Sequence, residues 1–144
     1  MNEKEKFDYF RPNVEGLGEW LKHYGYSYVS DSYEETELVG SSLVYKFRLT
    51  GENRSIEISF TPAAIDNENF GFITIILYSE FGHLSLDQYL YRYHPDLRDA
   101  FGIIQKEESI QKTFSSIKNL LITDLADVIT AKSWIDVPFE RDAY

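Results

Sequence analysis

The sequence predicts an α+β fold: an N-terminal helix, an antiparallel meander of about four strands, and C-terminal helices packed on one face of the sheet. Apolar and polar residues alternate through much of residues 26–79, as in strands with one buried face. In the last third of the chain, apolar residues recur every three or four positions, as in amphipathic helices. Strands in one run and helices in another are typical of the α+β class. A length of 144 residues without a break in composition predicts a single domain over residues 1–144.

The N-terminal helix is predicted to begin after Pro12. Residues 1–12 are mostly polar and Pro12 interrupts them, so we expect this segment, like residues 138–144, to be partly flexible. Asn13 is a suitable N-cap and Gly25 is a suitable helix stop. The predicted helix therefore runs from Val14 to about Tyr24, with an apolar stripe of Val14, Leu17, Leu21 and Tyr24.

Four strands are predicted to follow this helix. An acidic turn at Glu34–Glu37 joins the first two strands, and a hairpin turn at Thr50–Asn53 joins the second to the third. Pairing of the second and third strands places Lys46 near Glu57 on the outer face. A loop at 61–69, with Pro62 near its start, leads to a strand that is apolar on both faces. The predicted strands are residues 26–30, 38–49, 55–60 and 70–79.

The C-terminal third is predicted to contain a short helix and a long one. Ser85 and Gln88 have the Ser-x-x-Gln spacing of a capping box, which predicts a helix that ends before Pro95. A longer helix is predicted over residues 106–129, and its apolar stripe is expected to pack against the sheet. The stripe consists of Ile110, Phe114, Ile117, Leu121, Leu125 and Val128.

The composition argues against several functional classes. A formal net charge of −10 repels nucleic acid. The chain has no cysteine, its three histidines (His23, His83 and His94) are isolated, and no nucleophile or phosphate-loop motif is found. We therefore expect no metal, no other cofactor and no enzymatic activity. The start of the chain lacks a signal-peptide pattern and no apolar run is long enough to span a membrane, so we expect a cytoplasmic protein that does not contact membranes.

Acidic residues cluster in two of the predicted loops. Glu34, Glu35 and Glu37 lie between the first and second strands, and Asp66 and Glu68 lie between the third and fourth. In an antiparallel meander, these two connections emerge at the same end of the sheet. We therefore expect the five carboxylates to form one negative patch that attracts a basic protein partner.

Two tyrosines are candidate anchors for such a partner. Tyr33 precedes the acidic turn, and Tyr91 is expected to point outward from the short helix while Tyr89 and Tyr93 face the core. Tyrosine is enriched at binding hot spots because its ring buries a large area with few rotatable bonds.

In size, charge and overall texture the chain resembles bacterial immunity proteins, which neutralise toxic nucleases by binding them. The resemblance involves no motif, so it assigns no role to any residue. It implies a basic toxin as partner. We expect the chain to be a monomer or homodimer. Two other interpretations remain: a small acidic secretion or assembly chaperone, and a small-ligand binder or enzyme whose site forms only in the fold.

Overall fold

The computed structural model describes residues 2–36, 40–64 and 67–140 of the chain. It confirms the α+β class, with one helix before an antiparallel five-stranded meander, further helices after it, and a short sixth strand of the same sheet between those helices. The helices are α1 (Glu3–Leu21), α2 (Leu86–Tyr93), α3 (Pro95–Gly102), α4 (Ile110–Thr123) and α5 (Ala126–Ile129). The strands are β1 (Tyr26–Thr36), β2 (Gly40–Leu49), β3 (Arg54–Pro62), β4 (Gly71–Ser79), β5 (Gly82–Ser85) and β6 (Ile103–Ile104). None of the helices in the described residues is long and apolar enough to cross a membrane.

The first helix begins at Glu3, so the predicted start at Val14 is wrong. Asn2 is the N-cap and forms a capping box with Glu5, whose main-chain N–H donates to Asn2 Oδ1 at 2.9 Å. The capping box satisfies main-chain donors that the first turn of a helix otherwise leaves without partners.

Pro12 lies inside α1 rather than ahead of it. A proline there removes one main-chain hydrogen bond and costs about 3 kcal/mol. Phe7 and Phe10 offset this cost because both are buried, and burial of such a side chain contributes about 1.5–3 kcal/mol. The buried stripe of the helix is therefore Phe7, Phe10, Val14, Leu17 and Leu21.

The sheet is a meander in the order β1-β2-β3-β4-β5, and β6 pairs with β4. Lys46 lies opposite Glu57, as predicted. β1 is longer than predicted, so Glu34 and Glu35 belong to the strand and not to a turn. β5 and β6, with four and two residues, were not predicted, because strands this short carry little alternation.

The predicted long helix is interrupted. α4 ends at Thr123 and α5 begins at Ala126, with Leu125 between them in a non-helical conformation (φ −117°, ψ 17°). The prediction that its apolar stripe is buried is nevertheless confirmed for all six residues: Ile110, Phe114, Ile117, Leu121, Leu125 and Val128. The helices before and after a short break can present the same face to the core. The spacing of apolar residues alone therefore does not reveal the break.

Aromatic contacts connect the helices to the sheet. The ring of Phe10 in α1 stacks on Phe60 of β3 with centroids 5.1 Å apart, and it lies 6.0 Å from the ring of Phe114 in α4. Phe10 therefore lies between the long helix and the sheet at this point. Sequence analysis had placed Phe114 directly against the sheet, because it did not assign Phe10 to a helix.

The predicted capping box at Ser85 is not formed. Ser85 precedes α2 but its side chain makes no capping hydrogen bond. Gln88 is instead buried, and its Oε1 accepts a hydrogen bond of 3.1 Å from the main-chain N–H of Glu140. Gln88 thus connects α2 to the C-terminal segment.

The segment after α5 is anchored by one buried cation. The guanidinium of Arg54 donates to the main-chain oxygens of Val128 and Ser133 at 2.9 and 2.8 Å. It also lies 5.1 Å from the ring of Trp134. Arg54 is only 5% exposed, and these contacts, together with Glu80 at 3.6 Å from its Nη2, replace part of its lost hydration, while its buried Nε has no hydrogen-bond partner among the described residues.

Candidate functional site

The two connections predicted to carry the acidic patch emerge at the same end of the meander, as antiparallel pairing requires. Glu34 and Glu35 are exposed at the end of β1, and Glu68 is exposed in the connection between β3 and β4. Glu37 and Asp66 lie outside the described residues. Three of the five predicted carboxylates can therefore be located, and all three are accessible to a partner.

The first turn of α1 also lies at this end of the sheet. The hydroxyl of Tyr33 donates to Oε1 of Glu3 at 3.4 Å. The rings of Tyr33 and Phe7 pack in a T-shaped arrangement with their centroids 5.9 Å apart. On the other side, Nζ of Lys6 donates to the main-chain oxygen of Ala63 at 3.2 Å. The helix start therefore reaches from the edge strand to the connection after β3.

We call this surface the acidic end and define it by Glu3, Glu5, Glu34, Glu35 and Glu68. Sequence analysis missed Glu3 and Glu5, because they were assigned to a segment before the helix. The Asn2-x-x-Glu5 spacing is a capping-box signal that could have placed them at a helix start.

Tyr33 is the exposed aromatic residue of the acidic end. Its side chain is 57% exposed, and its hydroxyl lies 2.7 Å from the hydroxyl oxygen of Ser41 on β2. Contacts with Ser41, Glu3 and Phe7 hold the ring in place while leaving one side open. An orientated, accessible ring loses little conformational entropy on binding.

Tyr91 does not have the environment that was expected. It is half-buried, and the guanidinium of Arg98 lies 5.3 Å from its ring. Tyr93, expected in the core, is 49% exposed. Tyr91 belongs to α2, which packs on β4, whereas Tyr33 is on β1, and two strands separate β1 from β4. The structure therefore gives no support to a surface shared by Tyr91 and Tyr33.

A groove runs between α1 and the edge strand β1. Its volume is about 360 Å³, and its walls include Arg11 and Glu15 from α1 and Tyr28 and Asp31 from β1. The guanidinium of Arg11 lies 3.9 Å from the Asp31 carboxylate, and the Tyr28 hydroxyl donates to the same carboxylate. This hydrogen bond is the main reason that the pKa of Tyr28 is raised. Asp31 thus organises the polar groups of the groove.

A second cleft lies between α3 and α4 and has a volume of about 450 Å³. At one end, Nε2 of His94 lies 2.6 Å from Oδ2 of Asp124, and the Tyr89 hydroxyl donates to the same oxygen at 3.1 Å. Its lining combines apolar and polar side chains. The apolar part consists of the buried Phe101 and Leu120 and the exposed Leu97 and Ile103, and the polar part includes Lys112, Ser116, Asn119 and Thr123.

The ionisation of this cluster follows from its contacts. Partial burial raises the pKa of the Asp124 carboxyl, but hydrogen bonds from His94, Thr123 and Tyr89 outweigh burial and leave the pKa below its usual 3.8. Burial, with the nearby Asp124 charge, raises the pKa of Tyr89 to about 12. At neutral pH, Asp124 is therefore a carboxylate that holds the His94 ring in one orientation.

Sequence analysis treated His94 as isolated and did not connect it with Asp124. The two residues are 30 positions apart and meet only because α3 packs on α4. No local pattern could have shown this contact. Among residues 2–36, 40–64 and 67–140, no group of three His, Asp or Glu side chains is arranged to hold a metal ion.

Comparison with known proteins gives no relative from which a function could be transferred. No protein-family model matches the chain, and neither a curated protein nor a solved structure is significantly similar to it.

Proposed function

We propose that this chain is a non-enzymatic, immunity-type binding domain that neutralises a basic protein toxin, such as a nuclease, by direct contact in the bacterial cytoplasm. The observation that carries the proposal is the contact of Tyr33 with Glu3. It joins the start of α1 to the edge strand, so that Glu3 contacts an exposed aromatic ring that precedes Glu34 and Glu35 on β1.

The physical basis is a negative field around an anchoring ring. Glu3, Glu5, Glu34, Glu35 and Glu68 are exposed at one end of a chain that already carries a net charge of −10. Such a field raises the rate of encounter with a basic protein and weakens as salt is added, because the Debye length is about 8 Å at physiological ionic strength. The same field would repel nucleic acid. It would attract the basic surface with which a nuclease binds nucleic acid, so the chain could occupy that surface.

The test uses the partner captured from native cells and measures its association rate at several salt concentrations. Neutralising the five predicted carboxylates should slow association and flatten its salt dependence while the fold is retained. The substitutions are Glu34→Gln, Glu35→Gln, Glu37→Gln, Asp66→Asn and Glu68→Gln.

A matched control removes the same number of charges elsewhere on the surface. Its substitutions are Glu52→Gln, Asp96→Asn, Asp127→Asn, Asp136→Asn and Glu140→Gln. The control should keep most of the association rate. Equal effects of the two variants would show that net charge alone matters and would overturn the role of the acidic end.

A second candidate function is small-ligand binding in the cleft between α3 and α4. The observation in its favour is the carboxylate-orientated imidazole of His94 at the end of a cleft with a partly apolar lining. Ligand pockets commonly combine an apolar lining with a few orientated polar groups. Amide NMR shifts confined to α3 and α4 on addition of small aromatic carboxylic acids, and lost in His94→Ala, would support it. Unchanged spectra with the whole set would argue against it.

A further inference from the structure

β1 is an edge strand with an open side. In the part of the chain that the structure describes, β1 pairs with β2 alone, and it is eleven residues long. Apart from Tyr26, the described side chains of β1 are exposed, including Tyr28 and Tyr33 at 52% and 57%. An open edge presents unpaired N–H and C=O groups that can accept another strand.

The hydrogen-bonding phase shows which residues of β1 face this open side. The N–H of Thr50 donates to the oxygen of Gly25 at 3.0 Å, so every second residue of β2, counted back from Thr50, bonds to β1. These residues of β2 are paired with Ser30, Ser32 and Glu34 of β1. The intervening residues Asp31, Tyr33 and Glu35 therefore direct their main-chain N–H and C=O groups away from β2, and the outward N–H of Asp31 also contacts the Tyr28 hydroxyl.

A bulge limits the usable length of the edge. The register shifts between Tyr28 and Ser30, which leaves Val29 as the extra residue. Bulges commonly end pairing at edge strands. The open, regular part of β1 is therefore residues 30–36, which is the part nearest to the acidic end.

The charges on this edge select the kind of strand that can pair with it. Asp31, Glu34 and Glu35 lie on the open part of β1. A second copy of the chain would bring carboxylates against carboxylates, and like charges facing each other across strands are destabilising. A basic strand would meet opposite charges along the same stretch, so charge complementarity favours it over self-association.

The groove beside β1 adds a place for the side chains of such a strand. Those pointing to the α1 side would reach the groove, where Glu15, Glu19 and Asp31 face Arg11 and Lys22. The exposed Tyr28, just before the bulge, and Tyr33, within the open part, offer ring faces to cationic side chains.

We propose that the basic partner docks by strand addition: an extended, lysine- or arginine-bearing segment pairs with Asp31, Tyr33 and Glu35 on the open side of β1. This inference rests on the proposed function and specifies how the partner is held. Main-chain hydrogen bonds would supply part of the affinity, and the alternating side chains would supply specificity.

The probe is a capped decapeptide of alternating lysine and threonine, with a second peptide of the same sequence that is N-methylated at every residue. Both have the same side chains and charge, but the methylated peptide has no main-chain N–H to donate. We expect the unmethylated peptide to bind in low salt, to shift the amide signals of Asp31, Tyr33 and Glu35, and to bind at least about tenfold more tightly than its methylated form.

Two variants of the protein test the same contact by changing the donor on β1 instead of the donors of the peptide. Glu35→Pro and Glu35→Gln remove the same charge, but only proline also removes the outward N–H, a change that an edge strand can tolerate. The N–H of Glu35 is not used in pairing with β2, so circular dichroism and melting should show both variants folded. Glu35→Pro should bind the unmethylated peptide about two- to tenfold more weakly than Glu35→Gln.

The outcomes separate strand addition from the proposed function. Equal binding of the two peptides, with equal affinity of the two variants, would overturn strand addition and leave charge-driven binding at the acidic end in place. Amide shifts elsewhere on the molecule would overturn both the edge and the acidic end as the docking place. If neither peptide binds in low salt, strand addition is overturned, and the result counts against the proposed function as well.

Discussion

The ammonium group of Lys6 donates a hydrogen bond of 3.2 Å to the main-chain oxygen of Ala63, and Lys6 is only 9% exposed. Nζ of Lys6 also lies 5.6 Å from the centroid of the Phe70 ring. The contact joins the start of α1 to the connection between β3 and β4. It therefore positions Glu3 and Glu5 relative to Glu68 in the acidic end.

Lys6→Met should destabilise the protein by about 1–3 kcal/mol, because it removes a charged donor from a buried acceptor while keeping most of the side-chain volume. The free energy of unfolding in urea measures the effect. Lys4→Met, at an exposed position two residues earlier, should change stability by no more than about 0.5 kcal/mol. Equal losses in the two variants would mean that the bond to Ala63 contributes nothing.

Two glycines of α1 should respond in opposite directions to alanine. A Cβ at Gly18 would lie 2.5 Å from Cε1 of Phe47, whereas a Cβ at Gly16 would meet nothing within 4 Å. Gly16→Ala should therefore stabilise the protein by about 0.5–1 kcal/mol, because alanine is the better helix former. Gly18→Ala should destabilise it by about 1–3 kcal/mol, because the Phe47 ring is buried and must shift. Melting temperatures that move in the same direction would contradict the packing of α1 on β2.

Leu121 and Ile122 are neighbours on α4 with opposite environments. Leu121 is fully buried, and Ile122 is 42% exposed. Leu121→Ala should cost about 2–5 kcal/mol, because it leaves a cavity in the core. Ile122→Ala should cost much less than Leu121→Ala, in the same chemical-denaturation experiment. A reversed order would mean that α4 presents a different face to the core.

The contact of Asp124 with His94 should make stability depend on pH in the acid range. The folded-state pKa of Asp124 is lowered below 3.8, so its contribution is fully present above that value and is lost as the pH falls through the folded pKa. Asp124→Asn should therefore be less stable than the parent protein near neutral pH, and the difference should shrink below about pH 3.8. Unfolding free energies measured across this range test the sign.

His94→Gln provides the companion measurement. It removes the imidazole that lies 2.6 Å from Asp124 and keeps the carboxylate. The acid-dependent loss of stability should then become smaller than in the parent protein. A pH profile that His94→Gln leaves unchanged would show that Thr123 and Tyr89, rather than His94, hold the carboxylate.

Sequence periodicity determined the fold class and most of the core. The alternation in β2 and β3 predicts one buried face, and its members Tyr45, Phe47, Ile56 and Ile58 are all buried in the structure. Whether a side chain is buried depends on the direction in which it points, and that direction repeats with the period of the helix or strand. Antiparallel pairing likewise placed the two acidic connections at one end of the sheet without any knowledge of distances.

The tertiary structure decided what local patterns could not. Pro12 stays inside α1 because Phe7 and Phe10 are buried against partners distant in the sequence. Glu3 meets Tyr33 across 30 positions, and His94 meets Asp124 across the same separation. Such contacts depend on how the elements pack, and packing is the sum of many weak interactions that no short stretch of sequence encodes. The sequence by itself therefore determined an acidic, single-sheet α+β protein, and only the packing of α1 on the sheet decided which of its carboxylates contacts an exposed ring.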